Sequence, residues 1–149
     1  MATIKGQIKA ISISAKKGTK KTNVPKAEVK IDFGIVGDAH GGNWHRQISL
    51  LAIESINKMI EMGTKVSPGN FAENITTEGI ELPTLPIGSR LKIGSDIELE
   101  ITQIGKECHS RCEIFEQIGD CIMPREGVFT RVNQGGLIKI GDSIEVLDD

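Results

Sequence analysis

Tyrosine is absent from the chain and tryptophan occurs once, at Trp44, so aromatics amount to only 3% of residues. A surface that stacks successive nucleic-acid bases needs several such rings, and this composition argues against one. The net charge of −2 gives no broad positive field for a polyanion, although local basic clusters remain. No apolar run reaches the roughly 18 residues of a membrane-crossing helix. The opening Met1-Ala2-Thr3-Ile4-Lys5 lacks the apolar centre of a secretion signal, so the cytosol is the expected compartment. Cysteine is scarce as well. Its three copies, Cys108, Cys112 and Cys121, are expected to be thiols in a reducing compartment rather than a disulfide framework.

What is present fits one globular domain over residues 1–149. A chain of 149 residues with 38% hydrophobic content is long enough to bury its own core. Thr3 to Ser14 alternates, but Ile4 and Ile8 lie on one parity and Ile11 and Ile13 on the other, which predicts a strand with a bulge or two strand halves. Residues 16–26 carry five lysines (Lys16, Lys17, Lys20, Lys21 and Lys26) without apolar periodicity and read as a loop, either a solvated turn or an anion-attracting rim. Val29, Ile31 and Phe33 alternate with charge, the pattern of a half-buried strand. Gly37 to Arg46 then packs turn formers, two histidines and an arginine together just before Ile48-Ser49-Leu50-Leu51. It is neither a P-loop nor a dinucleotide-binding fingerprint.

Ile53, Ile56 and Ile60 recur at helical spacing, with Glu54 and Lys58 as an i,i+4 pair and Gly63 as the stop, so a helix spans Glu54 to Met62. Phe71 to Thr76 leads into another strand. Glu73 and Asn74 there either meet a ligand or satisfy turn backbone. Residues 91–99 and 138–146 echo one another as strand, Gly/Asp/Ser turn, strand, and read as two similar units of one sheet. Ile97, Leu99 and Ile101 face one way while Glu98, Glu100 and Thr102 face the other. Gly127 to Val132 returns as a strand and Gly135-Gly136 turns the chain. The sum is a mainly β fold, a barrel of roughly seven to nine strands with two short helical inserts.

The chemistry concentrates in Gln103 to Phe129, which holds all three cysteines. Ser110 as N-cap and Glu113 as its capping-box partner start a short helix, Ile114, Phe115 and Ile118 give its apolar face, and Gly119 ends it. Cys112 is then its second residue, where unpaired amides and the helix dipole favour a thiolate, beside Arg111 and near His109 and Lys106. Cys108, His109, Cys112 and Cys121 are potential zinc ligands, but the Cys-x3-Cys spacing has no second couple to match it. No Cys-x-x-Cys supports a thioredoxin-like role. A Cys–His dyad would need His40 or His45 brought in from elsewhere. Cys121, beside Ile122 and Met123, reads as buried and inert.

The same residues carry a resemblance. Gly37-Asp38-x-His40-Gly41 with Arg46 and Leu50, Gly69-Asn70-Phe71-x-Glu73-Asn74-Ile75, Gly88-x-x-Leu91-x-Ile93-Gly94, Cys108-x-x-Arg111-Cys112, Gly127-Val128-Phe129 and Gly141-Asp142 together resemble the MOSC domain. This is the C-terminal domain of molybdenum-cofactor sulfurases, found also as small stand-alone bacterial proteins. The resemblance implies a strand-rich barrel in which Cys112 carries sulfur as a persulfide or ligates molybdenum, with His40, Arg46 and Asn74 around it. Molybdopterin pairs a dithiolene-held metal with a terminal phosphate, so Arg46, Arg111, Arg125 and Arg131 are candidate anchors and Cys108 a candidate resolving thiol. These residues include no pyridoxal-phosphate domain. The expected partners are therefore a cysteine desulfurase or molybdopterin biosynthesis protein as donor, and an apo-molybdoenzyme as acceptor. Sulfur transfer or a reductase component would be the activity. The alternatives are a non-catalytic barrel that presents the cofactor, or a zinc-stabilised module.

Overall fold

The parity switch in the first strand sets how the sheet begins. The computed structural model describes residues 5–16, 20–63, 65–105 and 126–147. Lys5–Ile13 forms β1, and its pairing register shifts between Ile8 and Ala10, a bulge that turns both Ile8 and Ile11 into the core. There follow β2 (Thr22–Val24), β3 (Lys26–Lys30), β4 (Gly34–Ile35), β5 (Ile48–Ala52), the helix α1 (Ile53–Glu61), β6 (Ile75–Glu78), β7 (Arg90–Ile93), β8 (Ile97–Ile104), β9 (Val128–Gln134), β10 (Gly136–Lys139) and β11 (Ser143–Leu147). A 3-10 turn occupies Leu82–Thr84.

Seven strands close a barrel in the order β11-β7-β8-β9-β5-β6-β1, and β1 pairs with β11 to complete the ring. β2 lies on β1, while β10, β3 and β4 form a separate three-stranded sheet. The β5–β6 pairing is parallel. A parallel neighbour needs a crossover, and α1 lies within it. The barrel interior is filled by aliphatic side chains including Ile8, Ile11, Ile48, Leu50, Ile75, Leu99 and Val132. Outside the wall, Ile56 and Met59 of α1 pack on Leu51, Phe71 and Phe129. β5 is thus buried on both faces, which is why its run Ile48-Ser49-Leu50-Leu51-Ala52 does not alternate.

Five details depart from the sequence reading. Within 16–26, read as a loop, Thr22–Val24 pairs with β1 as β2 and Lys26 opens β3. β3 stops at Lys30, and Ile31 (65% exposed) lies on the surface, because Asp32 takes a positive φ of 55° and turns the chain. On α1 it is Met59 that faces inward, and Ile60 is exposed. The Glu54–Lys58 pair gives way to better-placed partners. Glu54 accepts the Gly79 amide at 3.0 Å, while Lys58 reaches Glu126 at 3.1 Å. Of the two echoed units, β7 and β8 do form a hairpin with Ile93 opposite Ile97. The second unit splits, with β10 joining β3 and β11 joining β1 and β7. Its turn is captured by the β1 bulge, since Ile8 donates to Asp142 at 2.9 Å and Gly141 donates to Ile8 at 2.8 Å. The helix expected at 110–119 lies outside the described residues.

Candidate functional site

The loop between β4 and β5 is organised by one carboxylate. Asp38 accepts hydrogen bonds from the backbone amides of Ser14 and His40, both at 3.1 Å, and from Lys21 Nζ at 2.6 Å. The Asp38 and Lys21 side chains are both wholly inaccessible to solvent. Burial pushes the Asp38 carboxyl up, but the nearby His40 ring, 3.7 Å away and not itself hydrogen-bonded to it, the Lys21 hydrogen bond and charge, and the Ser14 amide outweigh it. The carboxyl ends well below the usual carboxylate range. Lys21 Nζ also lies 3.2 Å from Ser14 Oγ and 3.1 Å from His40 Nδ1. The lysine-rich run is therefore not uniformly solvated. Lys21 is pulled inside because a buried aspartate and two further acceptors await it.

Its backbone is held in place as well. The Lys21 amide donates to Gly69 O at 2.8 Å. Gly69 has φ 95°, and a Cβ there would come within 2.5 Å of the Lys21 carbonyl, so glycine is required for this approach.

From His40 a ladder of flat groups runs towards β9. The His40 and Trp44 rings are parallel within 5° with centroids 6.4 Å apart, and Trp44 Nε1 donates to His40 O at 2.7 Å. The Arg46 guanidinium sits 4.8 Å from the Trp44 ring centre and 5.5 Å from that of Phe129. Such cation–ring contacts hold the guanidinium flat without neutralising it. Arg46 Nε is buried and has no hydrogen-bond partner among the described residues.

This loop meets the root of the cysteine segment. His45 Nε2 lies 3.0 Å from Gln103 Oε1, and Thr102 Oγ1 donates to His45 O. Ile104 pairs with Val128, and the Gly105 amide donates to Gly127 O at 2.7 Å, which closes a stem from which residues 106–125 depart. On the returning side Glu126 accepts from Ser55 Oγ at 2.6 Å. Cys108, Cys112, Cys121, Arg111 and Arg125 belong to that segment and lie outside the described residues.

The remaining expected site residues fall in two other places. Asn74 is fully buried where β1, β5 and β6 meet. Its Oδ1 accepts from the Ser49 amide at 3.0 Å and its Nδ2 donates to Ser12 O at 3.1 Å. Its neighbour Glu73 is buried beside it, accepting from the Phe71 amide and from Thr76 Oγ1, each at 3.2 Å. Both side chains hydrogen-bond to neighbouring backbone, and Glu73 to the Thr76 hydroxyl as well. Arg131 projects from the outer wall of β9 and faces Asp32 at 3.5 Å. The structure thus gathers His40 and Arg46 on one loop, with Asn74 linked to it through β1, where Ser12 serves Asn74 and Ser14 serves Asp38.

Sequence reasoning overlooked Lys21 as part of this arrangement. Nothing local separates it from the four other lysines of its run. Asp38 was legible in principle, since a Gly-Asp-x-His turn offers a carboxylate to its own backbone amides.

Comparison with known proteins agrees with this architecture. The MOSC domain family profile matches residues 37–145. Comparison with curated proteins returns no match. Among solved structures, YuaD from Bacillus subtilis is similar with a TM-score of 0.80 at 22% identity, covering 97% of this chain and 97% of that one. YiiM from Geobacillus stearothermophilus gives 0.72 at 21% identity, covering 96% and 75%. YiiM from Escherichia coli gives 0.67 at 15%, covering 96% and 70%. At these identities the likeness to the solved structures is one of fold.

Proposed function

The chain belongs to the MOSC domain family, and from that premise we propose that it handles sulfur or the molybdenum cofactor, with Cys112 as persulfide carrier or metal ligand. The family supplies the coarse statement, a domain of the molybdenum-cofactor sulfurase type. The observation that carries the finer reading is the placement of the His40–Trp44–Arg46 ladder against the stem of the segment that bears Cys112.

The described residues fit such a group on their side of the site. A flat guanidinium with a buried, unpartnered Nε is suited to an anion such as a terminal phosphate. Ring faces beside it suit a planar heterocycle. When bound, molybdopterin supplies a soft metal that takes a thiolate. Arg46 and His40 would hold its polar atoms, with Arg111 and Arg125 as further anchors. Cys112 would be the thiolate and Cys108 a thiol able to resolve a persulfide. In the sulfur-carrier form, the Cys112 thiolate attacks the outer sulfur of a donor persulfide. An S–S bond forms at Cys112, the donor's S–S bond breaks, and the donor cysteine leaves as thiolate. The donor is a cysteine desulfurase or a molybdopterin biosynthesis protein, and the acceptor an apo-molybdoenzyme.

Protein produced in molybdate-fed cells tests the reading by elemental analysis and by cyanide-releasable sulfur. Wild type is expected to retain molybdenum or releasable sulfur, and Cys112→Ser to lose it. Stoichiometric zinc with neither of these would replace the reading with a zinc-stabilised module. Retention undiminished in Cys112→Ser would leave a barrel that presents the cofactor without using this thiol.

A further inference from the structure

His40 is restrained at three points. Its backbone amide donates to Asp38, its carbonyl accepts from Trp44, and its Nδ1 lies 3.1 Å from Lys21 Nζ. The last contact has a chemical consequence. An ammonium has three donors and no acceptor. Among the described residues, Lys21 Nζ faces Asp38 Oδ1 at 2.6 Å, His40 Nδ1 at 3.1 Å and Ser14 Oγ at 3.2 Å. Nδ1 can answer such a donor only with its lone pair. The competing arrangement, a proton on Nδ1 shared with Asp38, is poorer, because Nδ1 to Asp38 Oδ2 is 3.7 Å and beyond hydrogen-bond reach.

We infer that the buried Lys21–Asp38 pair is a positioning device that locks His40 as the neutral tautomer with its proton on Nε2, and that this Nε2–H donates to an acceptor atom of the bound ligand. The ring side chain is 21% exposed, and Nε2 has no hydrogen-bond partner among the described residues. Its neighbour along the ladder is Trp44, with the Arg46 guanidinium beyond that ring, so a ligand that reaches both presents lone-pair acceptors such as the oxygens of an oxyanion. His40 in this state is a hydrogen-bond donor and not a base. Asp38 orients Lys21, Lys21 orients the imidazole, and the imidazole meets the ligand, the arrangement in which one ring nitrogen's partner dictates the other's role. Lys21 precedes the residues matched by the family profile, which begin at Gly37. The tautomer stands on geometry alone, whereas the donor role rests on the ligand-binding reading proposed above.

Long-range 1H–15N correlation of the histidine rings in the ligand-free protein is the test. Wild-type His40 is expected to show an unprotonated Nδ1 and a protonated Nε2 at neutral pH. A proton on Nδ1 overturns the lock, even if every variant proves unstable. Lys21→Met, which keeps the stem and removes the donor, is expected to move His40 to a mixture of tautomers. An unchanged spectrum would show that Lys21 does not set it. For the donor role, molybdate and inorganic phosphate serve as probes. Saturable movement of the wild-type His40 Nε2 signal by either, with affinity by calorimetry about tenfold weaker in His40→Phe, supports it. A signal that ignores both overturns it. Molybdenum retention in Cys112→Ser is read separately, so failure of the tautomer and failure of the proposed function are distinguishable.

Discussion

Glu73 illustrates how a single buried group can govern a whole-protein property. Its side chain is fully enclosed, and burial pushes its carboxyl up to about 7 although backbone amides and the Thr76 hydroxyl pull the other way. Unfolded, it titrates near 4.5. Between those values the folded chain keeps a proton that the unfolded chain has released, so stability falls as pH rises through this window. The contribution is complete below pH 4.5 and gone above 7, and amounts to at most about 3 kcal/mol. Asp38 acts in a different window. Its depressed carboxyl contributes above its ordinary 3.8 and loses that contribution only in stronger acid. Urea unfolding at pH 5 and pH 8 should therefore give a lower midpoint at pH 8. Glu73→Gln, which copies the neutral form, should flatten that difference, and an unaltered slope in this variant would assign it to another group.

At the scale of elements, the seam between β1, β5 and β6 depends on Asn74. Truncating it to alanine leaves the Ser49 amide and the Ser12 carbonyl without their buried partners. Each orphaned group costs about 1–3 kcal/mol, so Asn74→Ala should be destabilised by roughly 2–5 kcal/mol. Thermal unfolding measures this. A variant of wild-type stability that no longer binds molybdate would show that Asn74 serves the ligand and not the seam. The elements themselves were legible where periodicity is local. The isoleucine parities mark a break in β1 that the structure makes a bulge, α1 follows from its 3.6-residue spacing, and the β7–β8 hairpin from alternation across a glycine turn. Less was readable where a distant partner decides. Lys58 looks towards Glu54 in sequence but is taken by Glu126, and β10 and β11 look like a hairpin until the β1 bulge separates them. The candidate site follows the same rule. His40 and Arg46 stand out as residues of an unusual loop, whereas Lys21 becomes distinctive only once Asp38 is folded beneath it.

For the whole molecule, closure of the barrel separates two populations of backbone hydrogen bonds. Strands of the ring have neighbours on both sides, while the sheet of β10, β3 and β4 ends on a two-residue strand. Hydrogen exchange should therefore find amides of β5, β8 and β9 opening only with global unfolding, and those of β3 and β4 opening at lower free energy. Equal protection in both would show that they open as one unit. The barrel was predictable as a class from strand count and turn spacing. Its strand order was not, because the parallel β5–β6 contact joins residues some twenty-five positions apart that carry no mark of each other.

The sealed stem at Gly105 and Gly127 has a bearing on engineering. The ring's strand pairings run through residues on either side of those two glycines, so a foreign peptide exchanged between them is expected to leave the strand order intact, which thermal unfolding of such a graft would check. An insert that keeps Glu126 and its grip on Ser55 would inherit a ready-made cationic and aromatic bench beside it.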